Sequence, residues 1–304
     1  MKKIICMFLV LCVLFLNACT GNISETDDDK ITVAASFYPV YIFTLNLVNG
    51  IEEINVKCMA EQSVGCLHDY TLTAKDAKLL SDAEVLVING GGMESFLQDA
   101  FEGVDNLKVI DSSEDIEMLC GDEHHHDKAA HDHNHHENSH IWLSVDNAKI
   151  QIQNIKNGLV KEFPQYKNQI KNNYDEYIER LDALEKERTK LSAEVGHLSV
   201  ISFHGAYEYL EKDLGLKILT TIESDEGSEP SAKELAHLSS EIKKDNVKAL
   251  FIFPGYSGSA AEILARETGA GIYIINPVIS GEEDLTAYED IMRDNYKTIL
   301  KVVK

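Results

Sequence analysis

Short β-branched and aliphatic runs alternate along this chain with segments whose apolar positions recur at helical spacing. In the first part the strand-like runs are Ile31–Ser36, Ile54–Met59, Glu84–Asn89 and Leu107–Asp111. Helical patterns fill the gaps at Tyr38–Val48, ending at Gly50, at Thr73–Ser81 and at Met93–Phe101. The plan then repeats. Strands are expected at Leu198–Phe203, Leu216–Ile222, Val247–Phe253 and Gly271–Ile275. Helices are expected at Ala206–Leu214, Ala232–Lys244, Ser259–Thr268 and Ala287–Val302. Thr73/Asp76, Ser231/Glu234 and Thr286/Glu289 have the spacing of capping boxes and mark three of the starts. Strand–helix alternation of this kind predicts an α/β chain with two parallel sheets, each covered on both faces.

Between the arrays the pattern is helical throughout. Asp146 can cap a helix running to about Phe163, and Pro164 suits the first turn of another that continues to about Glu194. Leu181, Leu184 and Leu191 form its apolar stripe. At 1.5 Å per residue, about 30 residues span about 45 Å, enough to join two lobes as one strut. The expected organisation is an N-terminal lobe over 31–145, a helical linker over 146–194 and a C-terminal lobe over 195–304.

The first 30 residues change the compartment. Lys2 and Lys3 precede an apolar stretch from Ile4 to Leu16, short for a membrane span, and Leu16-Asn17-Ala18-Cys19 resembles a bacterial lipobox. The expectation is a signal peptide over 1–18, cleavage before Cys19, lipid on Cys19, and an acidic tether over 19–30. The formal charge of −23 argues against a nucleic-acid partner and favours attraction of cations. Cys58, Cys66 and Cys120 remain in the mature chain, an odd number that leaves a disulfide and three buried thiols equally open.

Candidate chemistry is dominated by histidine. Eight of the twelve histidines lie between His124 and His140. Neutral imidazole is a ligand for zinc, copper, nickel and cobalt. In open α/β sheets ligands bind beyond the carboxyl ends of the strands. His68 is in the loop after the second strand, His140 ends the long loop after the fourth, and His204 directly follows the first strand of the second array. The loop 276–285 after the last strand carries Glu282, Glu283 and Asp284. His136-Glu137-Asn138-Ser139-His140 has the HExxH spacing but falls in the aperiodic histidine run rather than on a helical pattern, and no Cys-x-x-Cys occurs, so the ligands would be brought together by the fold. His197 and His237 have no evident partner and read as surface or structural residues.

The chain resembles the ZnuA/TroA-like solute-binding lipoproteins of metal ABC importers, over nearly all of residues 31–304. The resemblance rests on His68-Asp69-Tyr70 after Gly65, on SDAEVLVIN (81–89) with Gly90-Gly91-Gly92-Met93-Glu94, on His140-Ile141-Trp142-Leu143, on His204-Gly205-Ala206-Tyr207-Glu208-Tyr209 and on Glu229-Pro230-Ser231. It implies two Rossmann-like lobes joined by a long backbone helix, with metal in the cleft, and His68, His140 and His204 as ligands. Manganese-type members are similar but carry a carboxylate at the third position and an aspartate after the last strand. Here those places hold His204 and Asn276-Pro277-Val278, and the nitrogen-rich set suits Zn2+. The fourth ligand is water or a carboxylate of Glu282, Glu283 or Asp284.

The implied function is capture of Zn2+ as cargo and delivery to an ABC permease, by a monomer lipid-anchored outside the membrane. Lys/Ile/Asn-rich usage favours a Gram-positive surface over a periplasm. Manganese or iron cargo is the alternative within the family, and a zinc hydrolase or lyase is the alternative outside it, although no nucleophile motif accompanies the histidines. Residues 121–139 lack periodicity and are expected to form a disordered loop whose His124, His125, His126, His131, His133, His135 and His136 are accessory metal ligands.

Overall fold

The computed structural model describes residues 30–60, 70–97, 100–101, 103–120, 137–222, 230–256 and 258–304. Among them, β1 (Ile31–Ala35), β2 (Ile54–Cys58), β3 (Val85–Ile88) and β4 (Lys108–Asp111) form a parallel sheet in the order β2-β1-β3-β4. After a two-residue ribbon, β5 (Leu119–Cys120) with β6 (Glu137–Asn138), a second parallel sheet follows. Its strands are β7 (Ser199–Ser202), β8 (Lys217–Thr221), β9 (Ala249–Ile252) and β10 (Gly271–Ile274), in the order β10-β9-β7-β8. Each sheet therefore has a switch point, β1/β3 in the first and β7/β9 in the second, where successive crossovers leave in opposite directions and open a crevice.

The helices are α1 (Tyr38–Val48), α2 (Ala74–Asp82), α3 (Val145–Glu162), α4 (Lys167–Val195), α5 (Glu208–Leu214), α6 (Ala232–Lys244), α7 (Ala260–Thr268) and α8 (Ala287–Leu300). The 29 residues of α4 run about 44 Å. Its apolar stripe buries Ile170, Tyr177, Leu181, Leu184, Leu191 and Val195, roughly 1.5–3 kcal/mol for each aliphatic side chain. The same hydrophobic core takes in Val33 and Val87 of the first sheet, this stripe, and Val200 and Phe251 of the second. A wide hinge opening would expose that shared core, so the two lobes are joined by packing as well as by chain.

Several local expectations are corrected. Ser144, not Asp146, caps α3 by accepting the Asn147 N–H. The Thr73/Asp76 and Ser231/Glu234 capping boxes form as expected. The Thr286/Glu289 box does not: the Glu289 carboxylate is drawn into the core by Arg180 at 2.7 Å, and Thr286 donates to Asp290 and Asp284 instead. The buried ion pair outcompetes an exposed cap because a carboxylate taken out of water costs more to leave without a partner than an exposed one. Met93–Phe101 is not one helix in its first half, where Ser95–Leu97 is a short 3-10 turn. Gly90, Gly91 and Gly92 precede it at φ +80, +59 and +82, and a Cβ on Gly90 would strike the Asp111 carboxylate. The expected loop over 121–139 ends early, because Glu137–Asn138 pairs antiparallel with Leu119–Cys120 and Ser139 is buried.

Candidate metal site

The two crevices are filled differently. At β1/β3, the buried Glu94 carboxylate accepts the Ser36 hydroxyl at 2.7 Å and the N–H groups of Asn89 and Gly90 at 2.7 and 3.1 Å. Burial pushes its carboxyl up to about 7, against the lowering effect of those three donors. Glu94 thus ties the end of β1 to the end of β3. At β7/β9, by contrast, the residues leaving the strand ends are His204 and Phe253, whose rings meet at 5.8 Å.

His204 lies across from His140. The imidazoles stand edge to face with centroids 5.3 Å apart, and His140 is buried while His204 is half-buried. His140 rests on Trp142 at 5.2 Å, and Trp142 in turn meets Phe37 beyond β1 at 4.9 Å. A chain of rings thus carries the histidine pair from the end of one sheet to the end of the other. Trp142 Nε1–H donates to Pro277 O at 2.8 Å and the Tyr288 hydroxyl to Trp142 O at 2.8 Å, which fixes the His140 segment against the second lobe.

The hydrogen bonds of the two rings call for different tautomers. His140 Nδ1 is 2.9 Å from Asn138 Oδ1, an oxygen that also accepts the His140 backbone N–H at 3.0 Å. An acceptor there requires a proton on Nδ1, which in the neutral ring places the lone pair on Nε2. His204 Nδ1 instead accepts the Ala206 N–H at 3.0 Å, capping a 3-10 turn over Gly205–Tyr207. A neutral His204 in that state carries its proton on Nε2. It can offer Nε2 to a metal only by giving up the Ala206 bond and moving the proton.

His140 and His204 are therefore brought together as the strand-end argument expects. His68, Cys66, Cys19 and the seven histidines His124, His125, His126, His131, His133, His135 and His136 lie outside the described residues. Among the described residues, no three His, Cys, Asp or Glu side chains converge as a metal group, so Glu282, Glu283 and Asp284 do not join the histidine pair. All three are exposed. Asp284 Oδ1 accepts the Thr286 N–H at 2.7 Å and hydroxyl at 2.9 Å, and its carboxyl is lowered by those bonds. Glu282 is held through its carbonyl by the Tyr38 hydroxyl at 2.7 Å. Burial, with the charges of Glu282 and Asp284, pushes that phenol up to about 12, so it remains a donor. His237 pairs with Glu241 at 3.4 Å on the exposed face of α6, and His197 is exposed, as expected for both. Asn138 was not among the expected site residues. Its position two before His140 was the available signal, since Asn side chains accept the N–H two residues on.

The profile of the family described as "ZnuA: Zinc-uptake complex component A periplasmic" matches residues 33–302. The zinc-binding lipoprotein AdcA of Streptococcus pneumoniae serotype 4 is 30% identical over 308 residues, covering 98% of this chain and 60% of AdcA. This chain thus spans 60% of that relative's length. The high-affinity zinc uptake system protein ZnuA of Bacillus subtilis (strain 168) is 32% identical over 308 residues, covering 97% of this chain and 96% of that protein. Among solved structures, the Zn(II)-bound ZnuA-like domain of Streptococcus pneumoniae AdcA superposes with a TM-score of 0.75 at 27% identity, over 90% of this chain and 99% of that one.

Proposed function

This chain belongs to the ZnuA family of zinc-uptake components, and we propose from that premise that it captures Zn2+ outside the membrane and passes it to an ABC permease. The observation that carries the reading is the His140–His204 pair, two imidazoles from opposite lobes at 5.3 Å. His68 is the proposed third ligand and water the fourth, an arrangement that suits tetrahedral zinc better than the oxygen-rich shells of manganese. Names of relatives support zinc as cargo and a lipoprotein as carrier. Cys19 is the proposed lipid site, which would hold a monomer on the outer face of a Gram-positive membrane. The histidines from His124 to His136 are proposed to collect zinc weakly beside the main site.

Loading is local in this reading. His140 already carries its lone pair on Nε2, whereas His204 must exchange its Ala206 N–H bond for the metal. A small rearrangement of His204 suits a shared core that resists wide opening. Unloading would reverse that exchange when the permease strains the cleft.

The test is competition titration against a zinc chelator at pH 7.5, with Mn2+ as competitor. Wild type should hold one tight zinc that manganese does not displace. His140→Ala and His204→Ala should each weaken it at least about 100-fold, as loss of a direct ligand exceeds the 10–100-fold cost of an outer partner. Affinity should also fall steeply below about pH 6 as imidazoles protonate. Tight binding that survives both substitutions, or displacement by equimolar manganese, would refute the assignment.

A further inference from the structure

Asn138 is bonded on both sides of the cleft. Its Nδ2 donates to Gly205 O at 2.8 Å and to Glu208 Oε2 at 2.8 Å. Both partners are acceptors, so the amide can be turned only one way, with Oδ1 toward His140. There Oδ1 takes the His140 backbone N–H at 3.0 Å and faces Nδ1 at 2.9 Å. One side chain therefore sets which nitrogen of His140 carries the proton, and ties that ring to the residue that follows His204. The tie is reinforced next door. Tyr209 on α5 donates its hydroxyl to Asn138 O at 2.7 Å and accepts the Leu119 N–H at 2.9 Å, clamping the ribbon β5–β6 to the second lobe.

We propose that Asn138 is a positioning residue for metal capture: it holds His140 with Nδ1 protonated and Nε2 presented, in fixed register with the His204 turn. The inference rests on the zinc-binding reading above. Two physical consequences follow. A free neutral imidazole is not confined to one tautomer, so without Asn138 the metal must first select the competent form of His140, and apparent affinity falls by the fraction populated. The ring also loses its orientation, as happens when any outer partner of a metal-bound histidine is removed, at a typical cost of 10–100-fold in affinity.

The experiment uses the full mature chain at pH 8. Long-range 1H–15N correlation of the histidine rings, with His140 assigned by its loss in His140→Gln, reads the tautomer in metal-free protein. Chelator competition reads zinc affinity. Wild type should show His140 protonated on Nδ1. Asn138→Ala should shift His140 toward the Nε2–H form and raise the zinc Kd 10–100-fold. Asn138→Leu, of similar size and without an acceptor, should do the same and replaces Asn138→Ala if that variant does not fold. An Nε2–H His140 in wild type would overturn the proposal. So would weakened binding in Asn138→Ala or Asn138→Leu with the tautomer unchanged. Absence of zinc binding by wild type would sink the functional reading instead, because the tautomer is read without metal.

Discussion

Glu211 lies in the core at the foot of the His204 strand. It is fully buried on α5, accepts the Ser202 hydroxyl through Oε1, and its Oε2 has no hydrogen-bond partner among the described residues. Burial, with a smaller push from Glu208, raises its carboxyl to about 8 from 4.5, against the lowering effect of Ser202. A carboxyl raised in the folded state favours folding in its protonated form. Its contribution is full below the unfolded pKa and is lost as pH rises through the folded one. The shift is worth about 5 kcal/mol at 1.36 kcal/mol per unit, spent between about pH 4.5 and pH 8. Glu211→Gln removes the titration and keeps the size. Any cost of leaving its new amide N–H unpaired is the same at every pH and cancels in the slope. Urea unfolding of metal-free wild type and Glu211→Gln, from pH 5 to pH 9, gives the two curves. Their difference should move in favour of the variant by about 4–5 kcal/mol across that range, at about 1.4 kcal/mol per pH unit below pH 8. Parallel curves would show that Glu211 is not a buried acid and would refute the reasoning. Taking the difference also removes Glu94, whose raised carboxyl titrates identically in both proteins.

Trp142→Phe deletes the Nε1–H donor to Pro277 and leaves that carbonyl buried without its partner; we expect a loss of about 1–3 kcal/mol in urea unfolding at pH 7, and a loss below about 0.5 kcal/mol would mean the contact is not sustained. Arg180→Met strands Glu289, which is 1% exposed and has Arg180 Nε as its partner at 2.7 Å. Arg180 is itself 36% exposed, so the expected loss is near the low end of the range for a broken buried pair, about 3 kcal/mol, and an unchanged midpoint would refute it.

Much of the architecture is legible along the chain because its causes are local. Short β-branched and aliphatic runs place the eight strands of the two parallel sheets within a residue or two, and the long α4 falls where the leucine stripe does. His204 is legible too, since a residue directly after a strand in such a sheet faces the crevice wherever the helices lie. Boundary errors are also local: Ser144 and Asp146 are both plausible caps, and only the backbone angle at residue 144 decides between them.

What the sequence determined by itself was the pair of α/β lobes, their helical strut, and His140 and His204 as candidate ligands at strand ends. Tertiary structure decided the rest. It set the 5.3 Å approach of the two rings, kept Glu282, Glu283 and Asp284 out of that pair, spent Glu289 on Arg180, and turned the Asn138 amide so that His140 presents Nε2. The physical reason is distance along the chain. Periodicity and caps report interactions within a few residues, whereas these choices depend on partners that meet only after both sheets have packed on one core. Asn138 and Gly205 are separated by 67 residues, and Arg180 and Glu289 by 109.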